Sequence, residues 1–145
     1  MTQSTIRGLT DKQGVRLAEL LQKQLSTYND LHLTLKRIHW NVLGPNFIGV
    51  HEMIDRRWSV GRDTVAAHLA ALDLVYNGVI EDIRGAIDET DELDPVTQDL
   101  LIGQAGHLEK FQWFVRAHLE SAGGKLAHAG STNEESAARR ARRKS

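Results

Sequence analysis

The spacing of apolar residues from about Asp11 to Val42 constrains the fold more than any other feature of the chain. These residues recur every three or four positions, which places them along one side of a helix. Thr10 is the predicted N-cap, and Leu43-Gly44-Pro45 closes the segment. Two neighbouring stripes run along this helix, and we expect one to face the chain's own core and the other a partner. The first stripe contains Leu21, Leu25, Tyr28, His32, Leu35, His39 and Val42, and the second contains Leu17, Leu20, Leu31 and Ile38.

Three further helical patterns follow. A short one, from Phe47 to Trp58, is interrupted at Ser59, which is the predicted cap of a long third helix. A fourth helix begins with Asp94 as its N-cap and Pro95 as its first residue, and Gly123-Gly124 ends it. Three substantial helices and one short helix predict an all-α four-helix bundle. The short acidic connection predicts that the third and fourth helices are antiparallel neighbours.

Composition limits the chemistry that this chain can perform. It contains 145 residues and no cysteine, which suits one domain and excludes disulfides, thiolate metal sites and cysteine nucleophiles. Any metal must therefore be held by His, Asp or Glu side chains. No apolar run approaches the roughly 20 residues that cross a bilayer, and the start MTQSTIRG lacks the pattern of a secretory signal. We therefore expect a cytoplasmic protein.

Charge is distributed unevenly along the chain. Five of the 18 basic residues lie in the segment SAARRARRKS, and all 19 acidic residues precede them. The segment from residue 125 to 145 has almost nothing to bury, so we expect it to be a mobile basic tail. A solvated tail is the usual reading of such a run, but its cations could also contact DNA phosphates without reading sequence. The candidate DNA-binding residues are Arg139, Arg140, Arg142, Arg143 and Lys144.

Two segments carry a resemblance to a known family. The stretch HWNVLGPNFIGVHEMID, residues 39–55, is similar to the Dps signature, in which a His-Trp pair ends the first helix and a second His follows the Gly-Pro turn. The later segment LEKFQWFVRAHLES is similar to the family's Trp-x-x-Arg-Ala-His-Leu segment. The resemblance covers residues 3–124 with one break. It implies a ferritin-like domain over residues 1–124, followed by the basic tail over residues 125–145.

The resemblance also implies an activity. Dps proteins form shells of twelve subunits that oxidise Fe(II) with peroxide or oxygen, store ferric iron and bind DNA through basic termini in the nucleoid. Their iron sites lie between two subunits, where one subunit supplies two histidines and its partner supplies an Asp and a Glu. By resemblance His39 and His51 are the histidines here, with Asp55 a neighbouring ligand. Without the motif, a histidine on an apolar stripe is more often a packing residue than a ligand.

The break falls directly after Asp55. Counted at the family spacing, the two acidic ligands would stand at positions occupied by Ala66 and Ala70. We therefore infer an internal deletion of about forty residues, which truncates the second helix and removes the crossover segment. Impaired ferroxidase activity is expected, unless a mixed shell with a full-length homologue supplies the acids. A non-enzymatic DNA-binding or structural protein and an unstable truncated product are the alternatives.

Overall fold

The computed structural model describes residues 8–43 and 63–143, and the predicted all-α class is confirmed. Four helices account for most of this part of the chain, and two very short strands pair at the end of the first helix and the start of the second. None of the described helices combines the length and apolar character needed to span a membrane. The elements in chain order are α1 (Asp11–Asn41), β1 (Val42–Leu43), β2 (Asp63–Thr64), α2 (Val65–Thr90), α3 (Pro95–Ala117) and α4 (Glu134–Arg142).

Helix α1 begins where the sequence predicts. The Thr10 hydroxyl accepts a hydrogen bond from the Gln13 backbone N–H, while the Gln13 side chain accepts one from the Thr10 backbone N–H. This reciprocal arrangement satisfies two donors at a helix start that would otherwise lack partners. Farther along, Lys23 pairs with Asp82 of α2 at 3.1 Å between Nζ and Oδ1. Together with the Arg16–Glu89 ion pair, this contact shows that α1 and α2 run antiparallel.

The end of α1 and the start of α2 lie side by side. Strands β1 and β2 are parallel, with Val42 opposite Asp63 and Leu43 opposite Thr64. Residues 44–62 connect β1 to β2. Because the two strands are neighbours, this segment does not need to span the length of the bundle, and α2 can run back alongside α1. Helix α2 is capped by the Thr64 hydroxyl, so the predicted start at Ser59, which lies outside the described residues, is wrong.

Helix α3 runs antiparallel to α2, as predicted. Its start is confirmed, since the Asp94 carboxylate accepts a hydrogen bond from the Thr97 N–H and Pro95 is the first helical residue. Its end differs from the prediction, because the helix stops at Ala117 and not near Gly123. Beyond that point the chain folds back, and the Ala127 N–H donates to the Leu119 carbonyl. Leu119 is thereby buried off the end of the helix.

The C-terminal segment corrects our expectation of a mobile tail. Residues 134–142 form helix α4, which packs against α2. Asn133 caps its first turn, and acidic residues at its start and arginines at its end favour the helix dipole. The prediction missed it because its buried face consists only of alanine, which carries little apolar signal. The buried residues are Ala137, Ala138 and Ala141.

The core lies around α2, which contacts the other three helices. Ile83 of α2 is fully buried, with Leu20 of α1 and Leu101 of α3 in the same cluster. The stripe of α1 that faces α2 is the predicted second one, Leu17, Leu20, Leu31 and Ile38. The first predicted stripe therefore lies largely outside this core.

Candidate functional site

Helix α4 presents its arginines away from the bundle. At 100° per residue, its buried alanines occupy one side, and its arginines fall on the opposite arc of the helix. The four arginines between residues 139 and 143 are all exposed. The structure therefore brings together four of the five predicted DNA-binding residues, and Lys144 lies outside the described residues. The four are Arg139, Arg140, Arg142 and Arg143.

Three of these arginines also have partners within the protein. Arg142 forms an ion pair with the carboxylate of Asp63, just before α2 begins. Arg140 donates a hydrogen bond from Nη1 to the Ala129 carbonyl, which lies in the loop before α4. Arg139 pairs with Glu135 one turn earlier, at 3.0 Å between Nη2 and Oε1. These contacts orient the guanidinium groups, and surface ion pairs of this kind are individually weak.

Alanines on both helices allow α4 to lie close to α2. Ala138 is fully buried with Ala67 and Ala71 of α2. Ala137 and Ala141 are buried in a neighbouring cluster that contains Ala70. Small side chains permit close approach of the two backbones, but each contributes little apolar area. The alanines therefore fix the spacing of the helices, and Leu119 adds apolar area to the second cluster.

A buried carboxylate links α2 to the chain on the C-terminal side of α3. Asp73 is 1% exposed, and its Oδ2 lies 2.9 Å from Nε2 of His128, which is 3% exposed. Its Oδ1 accepts hydrogen bonds from Arg116 Nε at 2.7 Å and from Gln112 Nε2 at 2.9 Å. Asn77 completes the group by accepting from both of these side chains. We call these five residues the Asp73 cluster.

The ionisation of Asp73 is set by this cluster. Burial raises the pKa of Asp73, but the hydrogen bonds from His128 and Arg116, the charge of Arg116 and the hydrogen bond from Gln112 together hold it below the ordinary value. The buried carboxylate is thus charged and compensated, which is the condition under which buried charges are tolerated. No spacing pattern in the sequence relates His128 to Asp73, so the pair could not be predicted from the sequence.

The structure describes one of the three predicted metal ligands. His39 lies in the last turn of α1 and is exposed, whereas His51 and Asp55 lie outside the described residues. Within residues 8–43 and 63–143, no group of three His, Asp or Glu side chains is arranged to hold a metal ion. Ala66 and Ala70 stand where the two acidic ligands would fall if counted at the family spacing, and Ala70 is fully buried beneath α4. The described part of α2 therefore offers no carboxylate at either place.

An open apolar groove lies between α1 and α3. On α1 the side chain of Leu25 is 54% exposed, and on α3 that of Phe111 is 56% exposed. On α1, Leu21 lies four positions before Leu25, and on α3, Phe114 lies three positions after Phe111. Leu35 and Leu100 are exposed farther along the same helices. The groove has a volume of about 300 Å³ and is lined by Tyr28, Gln104, His107, Leu108 and Phe111.

The fold and the surface of α4 define a class: an all-α helical bundle with an arginine-rich outer helix. Solved structures agree with this class. The chain matches Dps of Mycobacterium smegmatis with a TM-score of 0.79 at 58% identity, covering 91% of this chain and 97% of that one. It also matches DpsA14 of Streptomyces coelicolor with a TM-score of 0.74 at 46% identity, covering 85% and 95% of the two chains.

Sequence comparison identifies the family. The chain is 58% identical to the DNA protection during starvation protein of Mycolicibacterium smegmatis over 182 aligned positions that cover the whole of both chains. No protein-family model matches the chain. The chain belongs to the Dps family and has its ferritin-like four-helix-bundle fold.

The same alignment bears on the inferred deletion. It has 182 positions, while this chain has 145 residues, so the relative has 37 positions without a counterpart here. Because both chains are covered from end to end, these positions are internal. The number agrees with the deletion of about forty residues that was inferred from the break after Asp55.

Proposed function

We propose that this chain is a Dps-type shell subunit that protects DNA by binding the duplex without sequence preference through helix α4. The observation that carries the proposal is the arginine face of α4, which is opposite its buried alanine face. Guanidinium groups bind phosphate oxygens strongly and displace condensed counterions. On an oligomer of twelve subunits, as in the family, many copies of this face would act together, and multivalency would convert weak contacts into tight binding.

A salt titration tests this proposal. Binding of a labelled 30-base-pair duplex should weaken steeply with salt and be equal for two unrelated sequences. The double variant Arg139→Gln/Arg143→Gln should weaken binding by about tenfold or more and flatten the salt dependence, since each lost phosphate contact removes roughly 0.9 from the slope. The pair Lys12→Gln/Lys110→Gln makes the same charge change at exposed positions outside α4 and is the control. Equal loss in both pairs would contradict a specific role for α4.

For iron, we propose that the chain contributes only part of a site. Fe(II) is the substrate, and its oxidation requires imidazole and carboxylate ligands with positions open to the oxidant. His39, His51 and Asp55 would supply the histidine half, whereas alanines occupy the positions of the other half. The purified chain alone should therefore oxidise Fe(II) no faster than buffer, with peroxide or oxygen. Fe(II) oxidation by the wild-type chain that is lost in His39→Ala would contradict this proposal, because it would mean that the chain forms complete iron sites by itself.

A mixed shell would complete the site. The open groove between α1 and α3 supports this idea, because a further amphipathic helix would bury the apolar side chains exposed there. The proposed occupant is the corresponding helix of a full-length Dps homologue, which has the 37 positions that this chain lacks. A tagged copy of this chain, co-expressed with such a homologue, should co-purify with it. Phe111→Asp should abolish co-purification, while Val96→Asp, at an exposed position on α3 outside the groove, should not.

Two alternatives predict different results in these experiments. A non-enzymatic DNA-compacting protein is favoured by the absence of the acidic pair, and it would bind DNA without ever supporting iron turnover in a mixed shell. An unstable product would show neither activity and would lack a cooperative unfolding transition. For the Dps-type subunit and for the DNA-compacting protein alike, we propose a cytoplasmic location in the nucleoid. Fluorescence of a tagged chain that coincides with stained DNA would support this location.

A further inference from the structure

Helix α4 is too short to be stable without contacts to the rest of the protein. It has nine residues, fewer than the roughly 12–15 that an isolated helix needs in water. Its own buried side chains are all alanines, which pack on alanines of α2 and on Leu119, so the helix itself contributes little apolar area. Its order must therefore depend on the chain that leads into it and on polar contacts with the bundle.

The Asp73 cluster supplies the first of these restraints. Asp73 belongs to α2, Gln112 and Arg116 belong to α3, and His128 belongs to the segment between α3 and α4. One carboxylate thus ties three separate parts of the chain together in a buried place. The Nδ1 atom of His128 has no hydrogen-bond partner among the described residues. The side chain is therefore held through its Nε2 contact with Asp73 and by packing.

The restraint passes from His128 to α4 through its neighbour. Ala129 follows His128 directly, and its carbonyl accepts the hydrogen bond from Arg140. Next to it, Gly130 has φ +79°, and a Cβ there would lie 3.1 Å from the Arg140 Nη1 atom. The Arg140 side chain therefore packs directly on this loop. In the same last turn of α4, Arg142 pairs with Asp63, so two arginines tether the C-terminal end of the helix.

We propose that Asp73 and His128 are positioning residues for DNA binding, which hold α4 on α2 so that its arginines form one rigid surface for the sugar-phosphate backbone. This inference rests on the proposed DNA-binding function. A docked α4 meets DNA with its backbone already ordered. A released α4 would have to lose that freedom on binding, which weakens the complex.

Simple electrostatics predicts the opposite sign for one of these residues. Removing the charge of Asp73 makes the protein less acidic, which by itself should strengthen binding to a polyanion. If the positioning role is correct, Asp73→Asn should weaken binding although it removes a negative charge. The control Asp88→Asn removes one charge at an exposed position of the same helix and should leave binding equal or slightly tighter.

The experiment uses the purified full chain and a labelled 30-base-pair duplex at fixed salt. The first variant is His128→Ala, which removes the tie to the loop but leaves the Asp73–Arg116 pair in place. We expect its Kd to rise by about tenfold or more, because the ordering of α4 must then occur on binding. His32→Ala, at an exposed position of α1, should leave the Kd unchanged. Trypsin should cleave after the arginines of α4 faster in His128→Ala and Asp73→Asn than in the wild-type chain.

A crosslink distinguishes positioning from general loss of structure. The chain has no cysteine, so Ala67→Cys and Ala138→Cys can be introduced at the α2–α4 contact without competing thiols. In the His128→Ala background, the oxidised crosslink should restore the wild-type Kd and the protection from trypsin, and reduction should abolish both. Unchanged DNA affinity in His128→Ala and Asp73→Asn, with α4 cleaved faster, would overturn the inference. Failure of the wild-type chain itself to bind DNA would instead refute the proposed function.

Discussion

Asp73 on α2 accepts a hydrogen bond from His128, which follows it by 55 residues in the chain, with 2.9 Å between Oδ2 and Nε2. The contact joins the centre of the bundle to the segment that leads into the arginine helix. A change at this buried pair should therefore be felt at a surface that neither residue reaches.

Acid should weaken the fold through Asp73. Its pKa lies below the ordinary 3.8 in the folded protein, so the ionised carboxylate stabilises the folded state. The stabilisation is complete above about pH 5 and is lost as the pH falls through the pKa of the folded state. The free energy of unfolding, measured with urea between pH 3 and 7, should thus fall more steeply for the wild-type chain than for Asp73→Asn. Parallel profiles would show that Asp73 does not govern acid stability.

The core should be sensitive at one of two adjacent positions on α3. Leu101 is 1% exposed and belongs to the main cluster, whereas Ile102 is 49% exposed. Leu101→Ala should lower the free energy of unfolding by about 2–5 kcal/mol, because it removes apolar burial and leaves a cavity. Ile102→Ala should change it by less than about 0.5 kcal/mol. Denaturant titration of both variants checks the expected difference, and equal effects would mean that α3 is rotated from its observed position.

The start of α3 depends on Asp94. Its Oδ2 accepts hydrogen bonds from the Thr97 backbone N–H at 3.2 Å and from the Thr97 hydroxyl at 2.7 Å. Asp94→Ala should destabilise the protein by about 1 kcal/mol, as is typical for loss of an N-cap. Asp99→Ala removes the same charge at an exposed position inside the helix and serves as the control. Thermal unfolding that is equal for both variants would argue against the cap.

The contact between α4 and α2 should not tolerate a larger side chain. Ala138 is fully buried with Ala67 and Ala71, so Ala138→Leu would force the two helices apart. We expect α4 to detach, with faster tryptic cleavage at its arginines and at most a small change in the melting temperature of the bundle. Ala117→Leu makes the same substitution at the exposed end of α3 and should leave cleavage unchanged. Slow cleavage in both variants would mean that α4 is held by other contacts.

The elements found correctly in the sequence have strong local signals. Thr10 with Gln13, and Asp94 with Pro95, are capping patterns that act within one turn, so they can be read without knowing the fold. The helix boundaries that were missed depend on contacts between distant residues. The end of α3 depends on the pairing of Leu119 with Ala127. The start of α2 has a local cap at Thr64, and the pairing of Leu43 with Thr64 places this residue, and not Ser59, at the helix start.

The candidate site divides in the same way. The arginines are visible as a run in the sequence, but whether they belong to a mobile tail or to a docked helix depends on an alanine surface of α2. Alanine is common on exposed and buried helix faces alike, so its spacing carries little information. Asp73 and His128 show no local pattern, because the partner of each lies on a different element.

The sequence by itself determined the helical class, two helix caps, the family, the internal deletion and the run of cations near the C-terminus. These follow from periodicity, short-range hydrogen bonding and motif spacing, all of which act between residues close in the chain. The tertiary structure alone decided that α4 docks on α2, that its arginines face outward and that Asp73 holds the loop before it. Those features come from close packing of small side chains and from a buried charge satisfied by distant donors, and both require the folded arrangement.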